Sequence, residues 1–310
     1  MTALDAVSAY VPATVLPIES ICGDDGLPEA QARVFRRFYG LDTVRWDPGA
    51  SHAEILLQAI RKLPSLRGRE HLVRHVIAAR TLQAVVPEPV NVVRQVCEQA
   101  GLTHANAFAL TQHACASGLL AVDVAGRLLA ADDDDDGLAL VLAGEKAFTP
   151  TAQFIPATTV MGEGTAAVLV SRRGNSDRVL SYATQTLGRY SSGLFLTREL
   201  TVQFQQEYAS SVAEVVFAAL AEAGLTLADV DLILPHNVNR VSWSQLCQLI
   251  DYPMDRVFMD NIPVTGHCFC ADSFINLQSV TERGLLNPGD RYLMVAVGLG
   301  STFSAMVLEH

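Results

Sequence analysis

The chain is 310 residues long, enough for one large α/β domain or two fused halves. Half of its residues are hydrophobic and 18% are charged, which points to much buried sheet or a broad subunit interface. A net charge of −11 with no Lys/Arg cluster excludes a typical nucleic-acid binder, and no apolar run approaches the roughly 20 residues of a membrane span.

Periodicity predicts a helix over 52–63, a strand over 72–79, a helix over 89–101, a strand over 106–112 and a helix over 116–131. Strands over 138–144 and 165–171 follow, then a helix over 207–224, a strand over 230–235, helices over 238–250 and 272–285, and strands over 291–297 and 303–309. This alternation implies α/β layers. The run Asp132 to Asp136 falls between a helix and a strand without calcium-loop spacing, and reads as a solvated loop. Residues 172–206 are the least regular, with turns at 172–177 and 191–193, and are expected to join two halves, 1–171 and 172–310, and to carry substrate contacts. A weak repeat supports that division: each half has a helix, an apolar strand, a reactive side chain at the strand's end, a second helix, then two strands separated by glycines. Cys115 takes that place in the first half and His236 in the second.

Cys115 lies between an apolar strand and an apolar helix, where a helix N-terminus favours a thiolate and supplies backbone N–H groups. A thiolate takes an acyl group from a thioester at little thermodynamic cost, given a cationic or hydrogen-bonding neighbour. His236, closing the strand 231–234, is the leading partner, and His267, just ahead of the helix at 272–285, is placed to hydrogen-bond a thioester oxygen. The glycines of Gly298-Leu299-Gly300 allow close backbone approach to a ligand, so N–H groups there and at Cys115 are candidates for an oxyanion hole. Each feature alone has an ordinary structural reading; their joint placement at strand ends favours chemistry. The six cysteines are expected to be reduced thiols, because the N-terminus lacks the pattern of a signal peptide. Cys268 and Cys270, with His267 and Asp272, find no second ligand pair of matching spacing, so neither a metal nor a cofactor is expected.

The ordered motifs resemble the β-ketoacyl-ACP synthase III group of the thiolase-fold condensing enzymes over nearly the whole chain. Ala114-Cys115-Ala116-Ser117-Gly118 is similar to that family's nucleophile motif, and Gly162-Glu163-Gly164-Thr165-Ala166-Ala167 to its Gly-Asp-Gly-Ala segment. Pro235-His236-Asn237-Val238-Asn239 resembles Pro-His-Gln-Ala-Asn, and Gly298-Leu299-Gly300-Ser301-Thr302 resembles the C-terminal glycine turn.

The resemblance implies a five-layered αβαβα sandwich of two duplicated halves, a cytoplasmic homodimer, an acyl group carried on Cys115, condensation assisted by His236, and a thioester oxygen bound by backbone at Cys115 and Leu299. It also implies substrate contacts at Asn237, Gly298 and Gly300, and at Val86, which falls where the family lends a residue across the dimer to the acyl pocket. The chain departs from the family where Gly-Asn-Thr is usual, having Gly266-His267-Cys268. A Cys-His-His set resembles the elongating ketosynthases, in which two histidines support decarboxylation of a malonyl thioester. Val34 and Phe38 replace the tryptophan and arginine that hold the CoA adenine, so an acyl carrier protein docking near Arg36 and Arg37 is the expected donor. The function expected is acyl loading on Cys115 from an acyl-ACP or acyl-CoA thioester followed by decarboxylative condensation with a malonyl-type thioester in a specialised pathway; the alternatives are acyl transfer to an alcohol, amine or thiol, and a non-catalytic partner subunit.

Overall fold

The computed structural model describes residues 1–23, 26–82, 90–132, 134–147 and 149–310. Its strands are β1 (Ala3–Tyr10), β2 (Thr14–Pro17), β3 (Thr43–Trp46), β4 (Val73–Ala79), β5 (Asn106–Leu110), β6 (Leu138–Ala143), β7 (Phe154–Ile155), β8 (Thr159–Val160), β9 (Thr165–Ser171), β10 (Arg178–Thr186), β11 (Leu232–Pro235), β12 (Arg291–Gly298) and β13 (Thr302–Glu309). Its helices are α1 (Glu29–Val34), α2 (His52–Arg61), α3 (Val92–Gln99), α4 (Ser117–Ala131), α5 (Pro150–Gln153), α6 (Arg198–Ala223), α7 (Arg240–Ile250), α8 (Ile262–Thr265) and α9 (Asp272–Glu282).

The strands run β11-β12-β13-β10-β1-β9-β6-β4-β5. Strands β1 and β10 pair only where Ala3 meets Arg178, so the row is two half-sheets joined at one corner. Helices α4 and α9 lie between them: α4 packs on β4 and β6 of one half-sheet and on β12 and β13 of the other, and α9 on β1 and β9 and on β11 and β12. Outside, α2 and α3 cover the first half-sheet, and α6, with α7 packed against it, covers the second. The result is the expected αβαβα sandwich, with one hydrophobic cluster in the middle layer and one beneath each outer helical layer. Each fully buried Leu, Ile or Val in these layers contributes about 1.5–3 kcal/mol relative to an exposed one.

Middle-layer burial explains the apolar composition. In β6, Leu138-Ala139-Leu140-Val141-Leu142-Ala143, no residue faces solvent, as in a parallel strand covered on both faces. The segment Ala114–Ala131 is, by length and composition, apolar enough to cross a membrane, contrary to the sequence reading; in the fold most of it is buried between the half-sheets.

The expected helices and strands are present with shifted ends, but residues 172–206 are more ordered than the sequence suggested. Strand β10 pairs along its length with β13, and α6 begins at Arg198. Only Ser181 of β10 is buried, and the first turns of α6 carry Glu199, Gln203, Gln205 and Gln206, so neither has an apolar stripe to read. Of the run at 132–136, Asp133 lies outside the described residues; Asp132, Asp134, Asp135 and Asp136 lie outside helix and strand, with Asp134 paired to Arg74 at 2.5 Å and Asp135 to Arg172 at 2.7 Å.

The repeat also needs correction. In the first half β4 is flanked in parallel by β6 and β5; in the second β11 is flanked in parallel by β12 and by a single bridge from Ile233 to Val257. That bridge is the contracted counterpart of β5, too short to leave an apolar run in the sequence. His236 therefore corresponds to the end of β4, and Cys115 to Cys270. Both cysteines sit in a 3-10 turn that opens a middle-layer helix, after a non-glycine residue of positive φ, Ala114 at +46° and Phe269 at +56°.

Candidate active site

The turn Ala114–Ala116 brings Cys115 to the start of α4, where it is buried. It is held by a close approach: a Cβ on Gly298 would lie 1.9 Å from the His113 carbonyl oxygen, so only glycine lets the end of β12 pack there. His236 follows β11, its N–H donating to the Val295 carbonyl and its ring edge-on to Trp243, whose indole N–H donates to the His236 carbonyl at 3.0 Å.

His267 is positioned by the Gly162-Glu163-Gly164 segment. Its N–H donates to the Val160 carbonyl, its own carbonyl accepts from Gly162 N–H, and a Cβ on Gly162 would meet the Thr265 carbonyl at 1.9 Å. The imidazole then spans two partners: Nε2 lies 3.2 Å from Cys115 Sγ, and Nδ1 lies 2.5 Å from Asp272 Oδ2. Asp272 is buried and also accepts N–H groups of Asn237 at 2.5 Å and Cys268 at 2.7 Å, which fix the carboxylate.

The two histidines are electrostatic opposites. Burial works against a charge on His267, but the Asp272 carboxylate and the Cys115 sulfur outweigh it and push the imidazole up to about 10. Burial, joined by the charge on His267, pushes His236 down to about 3. The rings are 6.1 Å apart, and His236 Nε2 is engaged by the Tyr208 hydroxyl at 2.9 Å. A sulfur held beside an imidazolium that a carboxylate orients is the arrangement of an activated nucleophile.

Cys115, His236, His267, Gly298 and Leu299 line one cavity, closed on the α6 side by Phe204 and Tyr208. Its open space is about 40 Å³, about that of one water molecule. Gly300, with φ +124°, turns the chain and is not among the lining residues. Asn237 does not face the cavity; it is buried, and its amide pairs with Asn276. Its motif neighbour Asn239 caps α7 by accepting Ser242 N–H at 2.8 Å. Arg36 is exposed and held by Glu19 at 2.7 Å and Asp42 at 3.3 Å, while Arg37 lies over the Phe38 ring. Val86 lies outside the described residues. The Cys268 thiol faces the Thr265 carbonyl and the Cys270 thiol the Ala79 carbonyl, and burial raises both thiols well above their usual range.

Sequence reasoning missed two partners. Asp272 was weighed only as a metal ligand, although its five-residue offset from His267 spans a turn into a helix start. Tyr208 carried no signal, since an aromatic residue on a long helix is usually core.

Fold and cavity together place a buried Cys–His–Asp set inside a thiolase-type fold. The C-terminal model of 3-oxoacyl-[acyl-carrier-protein] synthase III matches residues 220–310. The β-ketoacyl-ACP synthase III of Ruegeria sp. (strain TM1040) is 28% identical over 252 residues, which cover 76% of each chain. Among solved structures, the acyltransferase ChlB3 superposes with a TM-score of 0.85 at 21% identity, covering 99% of this chain and 97% of its own. The synthase III of Aquifex aeolicus VF5 superposes with a TM-score of 0.79 at 22% identity over 100% of both chains. The chain is similar in sequence to β-ketoacyl-ACP synthases III, and it shares the fold of the solved synthase III and ChlB3 structures.

Proposed function

We propose that this enzyme loads an acyl group from a thioester donor onto Cys115 and passes it, without decarboxylation, to an alcohol, amine or thiol. One observation carries the reading: His267 bridges Cys115 and Asp272, while the Nε2 of His236 is engaged by Tyr208. Transfer to an X–H acceptor needs a single proton carrier beside the sulfur, which His267 supplies, whereas decarboxylative condensation draws on a second hydrogen-bonding group for the malonyl thioester oxygen, and the Nε2 of His236 is taken by Tyr208.

The Cys115 thiolate attacks the donor carbonyl, with charge on its oxygen met by the N–H groups of Cys115 and Leu299. Collapse expels the donor thiolate, which takes the His267 proton and leaves an acyl-Cys115 thioester beside a neutral imidazole. An acceptor then gives its proton to His267 Nε2 as its heteroatom attacks the acyl carbon. Loss of the sulfur from the second tetrahedral intermediate releases product and restores the thiolate–imidazolium pair, giving ping-pong kinetics. Asp272 holds the ring in the orientation that serves both half-reactions. An acyl carrier protein is the proposed donor, with Arg37 the docking contact, since Arg36 is already paired with Glu19 and Asp42; a homodimer in the cytoplasm is the proposed working form.

The test is intact-protein mass spectrometry after incubation with acyl-ACP and acyl-CoA donors, then challenge of the acyl-enzyme with X–H acceptors or with malonyl-ACP. Mass gain absent in Cys115→Ala, with discharge to an X–H acceptor, is the expected result. Release of CO₂ on discharge by malonyl-ACP would move the reaction to condensation. No mass gain with any donor would favour a non-catalytic subunit.

A further inference from the structure

One polar contact on Cys115 takes no part in the steps above. The sulfur receives a hydrogen bond from the Thr81 hydroxyl at 3.6 Å, from the segment that follows β4. Thr81 is itself anchored: its N–H donates to Glu145 Oε2 at 2.6 Å, and Leu82 N–H donates to Glu145 Oε1 at 3.1 Å. Glu145 follows β6, the neighbour of β4, and is fully buried. Among the described residues it makes no ion pair, and burial pushes its carboxyl up to about 7 against the N–H groups of Thr81 and Leu82, the Thr81 hydroxyl, which lies between the carboxylate and the sulfur, and the charge of Arg80. The preceding residue, Gly144, adopts φ +105°, and its carbonyl is bound by His52 Nε2 at 2.9 Å. A buried carboxyl is costly, and here both of its oxygens serve one short backbone segment whose next side chain reaches the nucleophile.

We propose that Thr81 is a further catalytic residue, a hydroxyl donor that holds the Cys115 sulfur beside His267, and that Glu145 is its positioning residue, fixing the Thr81–Leu82 backbone so that the hydroxyl reaches the sulfur. The inference rests on Cys115 being the nucleophile. An O–H donor stabilises the thiolate more than the thiol, so it adds to the effect of His267 and keeps the sulfur aimed at the cavity. The twin turn differs in partner: Cys270 Sγ faces the Ala79 carbonyl, which accepts and does not donate.

The experiment follows the rate at which iodoacetamide alkylates Cys115, resolved by peptide mass spectrometry across pH 5–9, in wild type, Thr81→Val, Thr81→Ser and Glu145→Gln. Thr81→Val is expected to slow alkylation at neutral pH by about 3- to 10-fold, the size of one hydrogen bond, and to raise the midpoint by about half to one pH unit. Thr81→Ser restores both, and Glu145→Gln behaves like Thr81→Val. The titratable groups around the sulfur, His267 with Asp272 behind it, His236, Tyr208, Cys270 and Glu145 behind Thr81, are the same in wild type and both Thr81 variants, so a shift between those three belongs to the hydroxyl. A wild-type profile for Thr81→Val, or a Thr81→Ser as slow as Thr81→Val, overturns the role of Thr81. A wild-type profile for Glu145→Gln, or its failure to fold, overturns positioning by Glu145. Alkylation needs neither donor nor acceptor, so an enzyme that fails to load acyl groups yet shows these shifts would sink the transfer reading and leave this one standing.

Discussion

At the scale of single residues, the site turns on two imidazoles 6.1 Å apart that hold opposite charge states. Both are buried, so desolvation disfavours a charge on each; only His267 has a carboxylate on one nitrogen and a sulfur on the other to overcome it. His236 has a phenol on one nitrogen, and its Nδ1 finds no partner among the described residues. Imidazole ¹⁵N shifts are therefore expected to report His267 as cationic at pH 8 and His236 as neutral at pH 5, since their values lie at about 10 and about 3. The reverse assignment would make His236 the partner of the thiolate. His236 was in fact the leading partner on sequence grounds, because strand ends gather ligands; the outcome hinges on Asp272, whose reach to His267 depends on the turn between them.

Elements reach this site through backbone contacts that leave no room for a side chain. The end of β12 packs on the His113 carbonyl through Gly298, and the segment before β9 packs on the Thr265 carbonyl through Gly162. These glycines are framework before they are substrate contacts. Gly298→Ala is expected to cost at least about 2 kcal/mol in denaturant unfolding, because backbone must shift to relieve the overlap. An unchanged midpoint would show that the turn moves freely. The nucleophile motif was legible as a strand-turn-helix, yet its twin at Phe269-Cys270-Ala271 was not, because the counterpart of β5 has shrunk to the bridge at Val257. Strand β10 was missed because its polar alternation matched a loop; pairing with β13 made it a strand.

Across the whole molecule, α4 and α9 are the shared middle layer, and their contact joins the two halves of the site. Phe274 on α9 is fully buried and would touch a Cβ placed at Gly118 on α4, so that interface is already at closest approach. Phe274→Ala is expected to cost about 3–5 kcal/mol and, because Asp272 sits two residues earlier on α9, to slow acyl loading as well. Calorimetry with a loading assay checks this; lost stability with unchanged loading would mean the site is held by its loops alone. By itself the sequence determined the alternation of elements, which rests on periodicity, and singled out Cys115, His236 and His267 as candidates from local motifs, while the αβαβα class followed from the family resemblance those motifs carry. Only the tertiary structure decided which histidine meets the sulfur, that Asp272 and Tyr208 take opposite histidines, that Asn237 braces rather than binds, and that Thr81 reaches Cys115. Each of those depends on distances between elements far apart in the chain, which packing sets and spacing along one strand does not record.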